Sequence, residues 1–463
     1  MHTIARQLFA FLFLVPFLSL AQEGAPTLPE LIDAALGKDF KLANQRIDME
    51  LNTLDRKKLG EAFLPRVTLG AADAYLMSSF SLYSPGLSIP SLNINIAEGD
   101  NRFTTRSNLL TTDLSVSALL FSGGKVTQLR KALEEKQKAL ALMMESNKQE
   151  IVAEVISAYD QLALLRQVHL VLEESRKRLD ADRKTADKAL GYGLITKYEH
   201  QKIEVAQAQL ASRTLDYEGK LEVVLEYLHL LTDIDKGRLD QILPDLAPLK
   251  LETEDFSIEK RPEMAAYDAI IAASRYKLSA EKTWIVPKVQ ALASIGYVGL
   301  SMGHIKSSDP VTEGGERLSK DLPNFDLFPL VTVGVALKWE LFNGNEGHRE
   351  VQKARLEITK GENEKSELSE KLELNLAQSR TSYRTATAKV TLSTTQEQTA
   401  SNALTQATAE YRNGLIKSSQ LVEAEEDFQD AALGYLQAVF NQRRAAVSLL
   451  RAGGELTKDA VKQ

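Results

Sequence analysis

Val331-Thr332-Val333-Gly334-Val335-Ala336-Leu337-Lys338-Trp339-Glu340-Leu341 alternates without a break: the odd positions are large and apolar, and the even ones are Thr, Gly, Ala, Lys and Glu. A two-residue period places the two sets on opposite faces of a β-strand. An earlier stretch repeats the pattern, with Leu110, Thr112, Leu114, Val116, Ala118 and Leu120 on one face and Thr111, Asp113, Ser115 and Ser117 on the other. Segments 67–77 and 289–300 alternate less cleanly, with small residues on the second face. Roughly 11–13 residues at ~3.3 Å each reach about 36–43 Å, ample for a tilted membrane strand of about 9–11 residues. The plain alternative is the edge of a soluble sandwich. Four strands cannot close a barrel, since small barrels begin at about eight. They must therefore pack on something else or be pooled between chains. Phe63, Phe121, Trp284, Trp339 and Phe342 all fall at the strand ends that lead into helices, where an interfacial aromatic girdle belongs. Asp113, Lys338 and Glu340, with the Ser/Thr faces, point away from lipid and are candidates for a water-filled lumen.

Working outward from the strands, the chain repeats itself. Leu64-Pro65-Arg66-Val67 recurs as Val286-Pro287-Lys288-Val289, offset by 222 residues. Leu120-Phe121-Ser122-Gly123 recurs as Leu341-Phe342-Asn343-Gly344, and Gly193-Leu194-Ile195 as Gly414-Leu415-Ile416, both offset by 221. Three motifs in one order and one register indicate a duplicated unit. We assign residues 22–240 to the first repeat, 241–452 to the second and 453–463 to a polar tail. Asp233, Asp235, Gly237, Pro244 and Pro248 break the pattern near the boundary. Each unit reads helix, strand, loop, strand, long helix, turn, helix, with strands near 64–77 and 109–121, then 286–300 and 330–342. The loops 78–108 and 301–329 are long and polar.

The long helices are expected from Lys125 to about Leu190 and from Arg349 to Tyr411, the first without Pro or Gly and the second interrupted only by Gly361. About 65 residues at 1.5 Å each give ~100 Å. Their apolar stripe is thin, carried in the first by Val126, Leu129, Leu133, Leu140, Ile151, Val155 and Leu162. That is coiled-coil packing rather than a globular core. Return helices follow at Tyr198–Leu231 and Ser418–Arg451, and the turns at Gly191-Tyr192-Gly193 and Asn413-Gly414 supply the positive φ of a tight helical hairpin.

Composition narrows the function. The chain has 463 residues, 44% hydrophobic and 26% charged, with 63 acidic against 56 basic residues and no cysteine. The acidic balance argues against nucleic acid as a partner. Zero cysteine removes disulfides, thiolate chemistry and a lipidated N-terminal Cys. Residues 1–21 read as a secretory signal, with Arg6 before the apolar run Leu8–Leu20 and a small-x-small site at Ser19-Leu20-Ala21. No later run is apolar enough to cross a membrane as a helix, so membrane insertion would need a barrel. Phe121-Ser122-Gly123-Gly124-Lys125 lacks phosphate-loop spacing, and its counterpart Phe342-Asn343-Gly344-Asn345 has no Lys, so it reads as a strand-to-helix corner. The six His are not at metal-ligand spacing. No catalytic constellation stands out, and neither an enzyme nor a cofactor is expected.

This arrangement resembles the TolC-like outer-membrane efflux and exporter family, across essentially all of residues 28–452. Leu64-Pro65-Arg66-Val67 and Val286-Pro287-Lys288-Val289 open the strands, and Leu120-Phe121-Ser122-Gly123-Gly124 and Leu341-Phe342-Asn343-Gly344 close them. Lys260-Arg261-Pro262-Glu263 starts the second unit, and Gly193-Leu194-Ile195 and Tyr411-Arg412-Asn413-Gly414-Leu415 form the tips. The resemblance implies a mainly α fold with membrane β. A homotrimer would pool twelve strands into one outer-membrane barrel, and its helical hairpins into a periplasmic α-helical tunnel. It implies an exit duct in the outer membrane of a Gram-negative bacterium, with most of its mass in the periplasm. The duct would serve a tripartite efflux pump or type I secretion system, and its tips (Gly193, Leu194, Ile195, Gly414, Leu415 and Ile416) would dock an adaptor protein and an inner-membrane pump. It further places Glu199, Tyr411, Gln420 and Glu423 at the tunnel-entrance gate. Two positions depart from the family pattern: Ile416 stands for an expected Arg, with Lys417 adjacent, and Gln420 for an expected Asp. A periplasmic coiled-coil adaptor or a structural coiled coil would share the hairpins, but not the duplication together with four membrane-grade strands.

Overall fold

The computed structural model describes residues 24–92, 94–96, 98–310 and 316–458. The signal expected at 1–21, and residues 459–463 of the polar tail, lie outside the described residues. Two helices, α1 (Leu28–Lys38) and α2 (Phe40–Gly60), precede the strand β1 (Arg66–Ser84), a small hairpin of β2 (Leu87–Ile89) and β3 (Ile94–Ile96), and β4 (Gly99–Phe121). The hairpin α3 (Lys125–Gly191) and α4 (Lys197–Thr232) follows, then the short α5 (Lys236–Asp240). The second pass runs α6 (Pro262–Glu281), β5 (Lys288–Pro310), β6 (Arg317–Asp321), β7 (Phe325–Lys338), α7 (Glu346–Arg412) and α8 (Ser418–Ala452). The chain divides into a strand-bearing unit, Met49–Ala139 with Tyr267–Glu364, and a helical unit formed by Leu140–Ala266 and the segments before Met49 and from Lys365 onward.

In the strand-bearing unit the sheet is antiparallel in the order β1-β4-β5, with β7 on the inner part of β5 and β6 on its outer part. Register aligns the faces across all four long strands. Val67, Val116, Ala293 and Val333 form one row, and Leu69, Leu114, Ile295 and Val331 the next. The intervening row is Thr68, Ser115, Ser294 and Thr332. Side chains in register share a face, so one face is apolar and the other small and polar.

The strands are longer than alternation alone indicated. β1 and β4 pair without interruption from Arg66 opposite Ser117 to Ser84 opposite Gly99, and β5 continues to Pro310, so much of 78–108 and 301–329 is strand rather than loop. These outer parts are rich in Ser, Thr and Asn, and even the buried positions include Asn101 and Ser307 beside Phe103, so no sustained hydrophobic alternation can be read. A small apolar cluster of Phe103 and Leu318, with Ile89 and Ile305 against it, holds them together.

The corners from strand to helix recur in the two repeats. Gly123 and Gly124 have φ of 70° and 87°, and Gly344 and Asn345 have 65° and 66°. A side chain at Gly123 would also press on Val286, 3.1 Å from its Cβ. Ser122 Oγ accepts from the Val126 amide at 3.4 Å and Asn343 Oδ1 from the Gly347 amide at 3.2 Å, each serving an otherwise unpaired donor at a helix start. This is the corner that resembled a phosphate loop.

The helical unit has its core where α1, α3, α4 and α8 meet. Leu31, Ile32, Val155, Ile156, Leu162, Leu228 and Leu449 are fully buried there. Each such side chain contributes ~1.5–3 kcal/mol relative to exposure. The segment 241–261, which joins the repeats, has no regular structure beyond a single turn at Ile258–Lys260, and its backbone is served by side chains instead. Gln442 donates to Leu249 O at 2.7 Å and accepts from Leu249 N at 2.9 Å, and Tyr383 Oη accepts from Leu251 N at 3.1 Å. Arg443 donates to Ala247 O at 3.0 Å and pairs with Asp160 of α3 at 2.8 Å, both side chains being almost wholly buried. Burial pushes the Asp160 carboxyl up, and Arg443 draws it back only in part.

Candidate functional site

The hairpin tips are built twice by the same device. After α3, Leu194 N donates to Ala189 O at 2.8 Å and Gly193 N to Leu190 O at 3.0 Å. After α7, Leu415 N donates to Glu410 O and Gly414 N to Tyr411 O, both at 2.9 Å. This paired closure needs a left-handed residue, and Gly193 (φ 72°) and Gly414 (φ 70°) supply it. Leu194 and Leu415 are left strongly exposed, 77% and 73%. Ile195 packs against the α3–α4 core and Ile416 against Leu404, Tyr411 and Leu421.

The residues singled out for a gate separate into distinct environments. Thr196 caps α4 by accepting the Glu199 amide at 3.2 Å. The Glu199 carboxylate reaches across to the second hairpin, where Oε2 accepts from Ser419 N at 3.1 Å. One hairpin thus supplies an anion to the free amides and positive end of the other hairpin's helix. Tyr411 is buried, and its hydroxyl lies 3.4 Å from that of the buried Ser418. Gln420 Oε1 accepts the Lys417 amide at 3.1 Å, so this position serves to cap α8. Ile416, where a charge pair was expected to have its Arg, fills an apolar cluster completed by Ala407, Ala424 and Phe428. Glu423 is exposed, as is the Gln420 cap; with Asp427 they line an open groove of about 780 Å³ between α7 and α8.

Sequence reasoning missed the groups that tie the hairpins together farther from the tips. Arg178 of α3 forms a two-pronged ion pair with Glu425 of α8, both bonds at 2.9 Å. These residues are 247 positions apart, and each sits among charged neighbours on its own helix, so no local signal marks them.

In the strand-bearing unit, Asp113 stands on the small, polar face between Gly70 and Gly296. A Cβ at Gly70 would come within 2.7 Å of the Asp113 carboxylate, so the glycine makes room for it. Lys338 ends β7 on the same face and pairs with Glu340, which lies beyond the strand, at 3.2 Å. Of the aromatic set, Phe63, Phe121, Trp339 and Phe342 are exposed. Trp339 Nε1 donates to Ile285 O at 2.8 Å, and Trp284 lies edge-on to His348. On the outer sheet His304 Nδ1 lies 2.8 Å from Asp321 Oδ1, and Nε2 lies 3.2 Å from Ser319 Oγ. This has the spacing of a hydroxyl–imidazole–carboxylate relay. The Asp321 side chain is 93% exposed, however, and water screens the charge that would orient and activate the ring. The trio reads as a clasp between β5 and β6. Among the described residues no three His, Asp or Glu side chains gather as a metal site.

A family profile described as outer membrane efflux protein matches residues 31–231 and 256–455, one match in each repeat. None of the curated proteins matches the chain significantly by sequence. Among solved structures, the Campylobacter jejuni CmeC outer membrane channel is 16% identical with a TM-score of 0.68, covering 92% of this chain and 85% of that one. The outer membrane protein VceC of Vibrio cholerae is 17% identical with a TM-score of 0.67, covering 92% and 96%. The open state of the Neisseria gonorrhoeae MtrE outer membrane channel is 15% identical with a TM-score of 0.66, covering 94% and 91%. At these identities the likeness is one of fold.

Proposed function

The chain belongs to the outer membrane efflux protein family, and from that premise we propose that it is the outer-membrane exit duct of a tripartite efflux pump or type I secretion system. Three copies pool their strands into a twelve-stranded barrel, and their hairpins form a tunnel in the periplasm of a Gram-negative bacterium. The small, polar face with Asp113 and Lys338 lines the lumen, and the Val and Leu rows face lipid. The exposed aromatics near the helices mark the interface. Leu194 and Leu415 meet a periplasmic adaptor, through which an inner-membrane pump delivers its cargo.

The observation that carries this reading is the state of the sheet edges. Among the described residues β1 is hydrogen-bonded only to β4, and β7 only to β5. Both edges carry the apolar rows, and an open edge cannot stay unpaired in hydrocarbon. Pairing β7 of one copy with β1 of the next satisfies both. Cysteines introduced in β1 (L69C or V67C) together with one in β7 (V333C or V335C) test it, because the chain has none of its own. Oxidation in native membranes should give covalent ladders that end at three copies. Recovery of an uncrosslinked chain in the soluble periplasm would overturn the proposal.

At the tips, Glu199 holds the two hairpins together through Ser419, and Glu423 presents charge to the tunnel entrance, where a narrow lumen concentrates its field. E199A should raise resting conductance, and E423A should weaken cation preference. Unchanged single-channel records would remove each residue from the gate.

A further inference from the structure

About three to four turns before Gly193, the first hairpin and the second share charged groups withdrawn from water. The Glu425 side chain is 3% exposed and is held by Arg178 on both oxygens. Its Oε1 also accepts from Gln429 Nε2 at 3.3 Å. Arg178 donates further to Ser175 Oγ at 2.9 Å and lies over the Phe428 ring, 5.0 Å from its centre. Arg213 of α4 extends the network to Gln429 at 3.4 Å and to Asp430 at 2.9 Å. One turn along α3 from Arg178 stands Asp182, half-buried, its carboxylate without a hydrogen bond or ion pair among the described residues. Glu425 of α8 repels its charge, while Arg412 of α7 and Arg178 of α3 attract it. Burial first, and then Glu425, pushes its pKa up to about 6.

Resting on the duct reading above, we propose that Asp182 is the proton-sensing element of a lock between the two hairpins: proton uptake holds them together, and proton loss lets them part. Docking buries Asp182, whereas parted hairpins return it to water and to an ordinary carboxyl pKa of 3.8. A group that holds its proton more tightly when docked favours docking in acid. That advantage is complete below about pH 4, falls as pH climbs to about 6, and is gone above it. Between pH 5 and pH 7 the docked-to-parted ratio changes by about tenfold on this linkage. Arg178 and Arg412 face Asp182 as guanidinium cations. His200, nearer the tip, is paired with Asp187 at 2.6 Å. It joins α3 to α4 within the first hairpin rather than one hairpin to the other.

The test is conductance of the full-length protein in planar lipid bilayers between pH 5 and pH 8. Openings of the wild type should be about tenfold rarer at pH 5 than at pH 7. D182N, uncharged at every pH, should stay as closed at pH 7 as the wild type is at pH 5, and H200Q should keep the wild-type profile. A wild-type profile in D182N would overturn the lock. Spin labels on L194C and L415C give a second readout that does not depend on conduction. Their separation should lengthen from pH 5 to pH 7 in an otherwise wild-type chain and stay short with D182N; a separation independent of pH would overturn the lock as well. Failure to conduct at any pH counts against the duct reading instead, and the label separations then decide the lock alone.

Discussion

α3 and α7 have the same length, 67 residues, and follow the same corner in the two repeats, yet they are clothed differently. Ile151, Val155, Leu162 and Leu165 are buried on α3, and Leu372, Leu376, Tyr383 and Ala386, each 221 positions later, are buried on α7. That stripe is common to both. Beside it α3 buries a second one formed by Val152, Ile156, Tyr159, Ala163 and Leu164. At the equivalent positions α7 carries Glu373, Ala377, Arg380, Arg384 and Thr385. A single stripe packs a helix on one neighbour, and a double stripe lets it be surrounded. The two halves of the chain therefore share a hairpin with a long helix of the same length, while they differ in how many partners each long helix accepts. On α7, Leu374 and Leu392, 18 positions and five turns apart, remain 61% and 65% exposed.

The largest effect should come from the charge that α3 buries. R443A leaves Asp160 without its counter-ion and should cost about 3–5 kcal/mol, read as a lower urea midpoint of the detergent-solubilised protein. R443K, which keeps the charge but loses the fork, should lie between. Next is L162A, at a position with no exposed surface, which should cost about 2–5 kcal/mol by the same measurement. The equivalent position on α7 sharpens the comparison. Y383F keeps the ring and removes only the hydroxyl that serves Leu251, so about 1–2 kcal/mol is expected. A loss as large as that of L162A would mean that this one hydroxyl matters to the fold as much as a buried leucine side chain. The smallest effect on the protomer is expected from L392A, within ~0.5 kcal/mol, because little surface is buried there. If a neighbouring copy covers this face, L392A should nonetheless lower the temperature at which trimers dissociate on a gel. An unchanged dissociation temperature would mean that the face meets only water.

Much of this was legible in the sequence and some was not, for reasons that can be assigned residue by residue. The alternation at Val331–Leu341 identified β7 because one of its faces is apolar, although the strand runs from Phe325 and stops at Lys338, short of Trp339 and Leu341. The outer part of β1, beyond Met77, lacks that contrast and read as loop. Gly193 and Gly414 were identifiable as tips because their closure is local. Glu199 was singled out, but its partner Ser419 is 220 residues away and could not be read from spacing. Gln420 looked like a gate position that had lost its charge, whereas its side chain caps α8. Arg178, Asp182 and Glu425 gave no signal, since each is one charged residue among many on a long polar helix.

The sequence by itself pointed to the inner strands, the long helices, their order and the sites of the turns. These follow from interactions within a few residues: the two-residue period of a strand, the helical stripe, and glycines where φ must be positive. Only the tertiary structure decided which stripes are covered, that segment 241–261 is stitched down by Gln442 and Tyr383, and which charges meet between hairpins. Those outcomes depend on desolvation and on partners about 130–250 positions away, and a charged residue announces neither until the chain has brought its partner beside it.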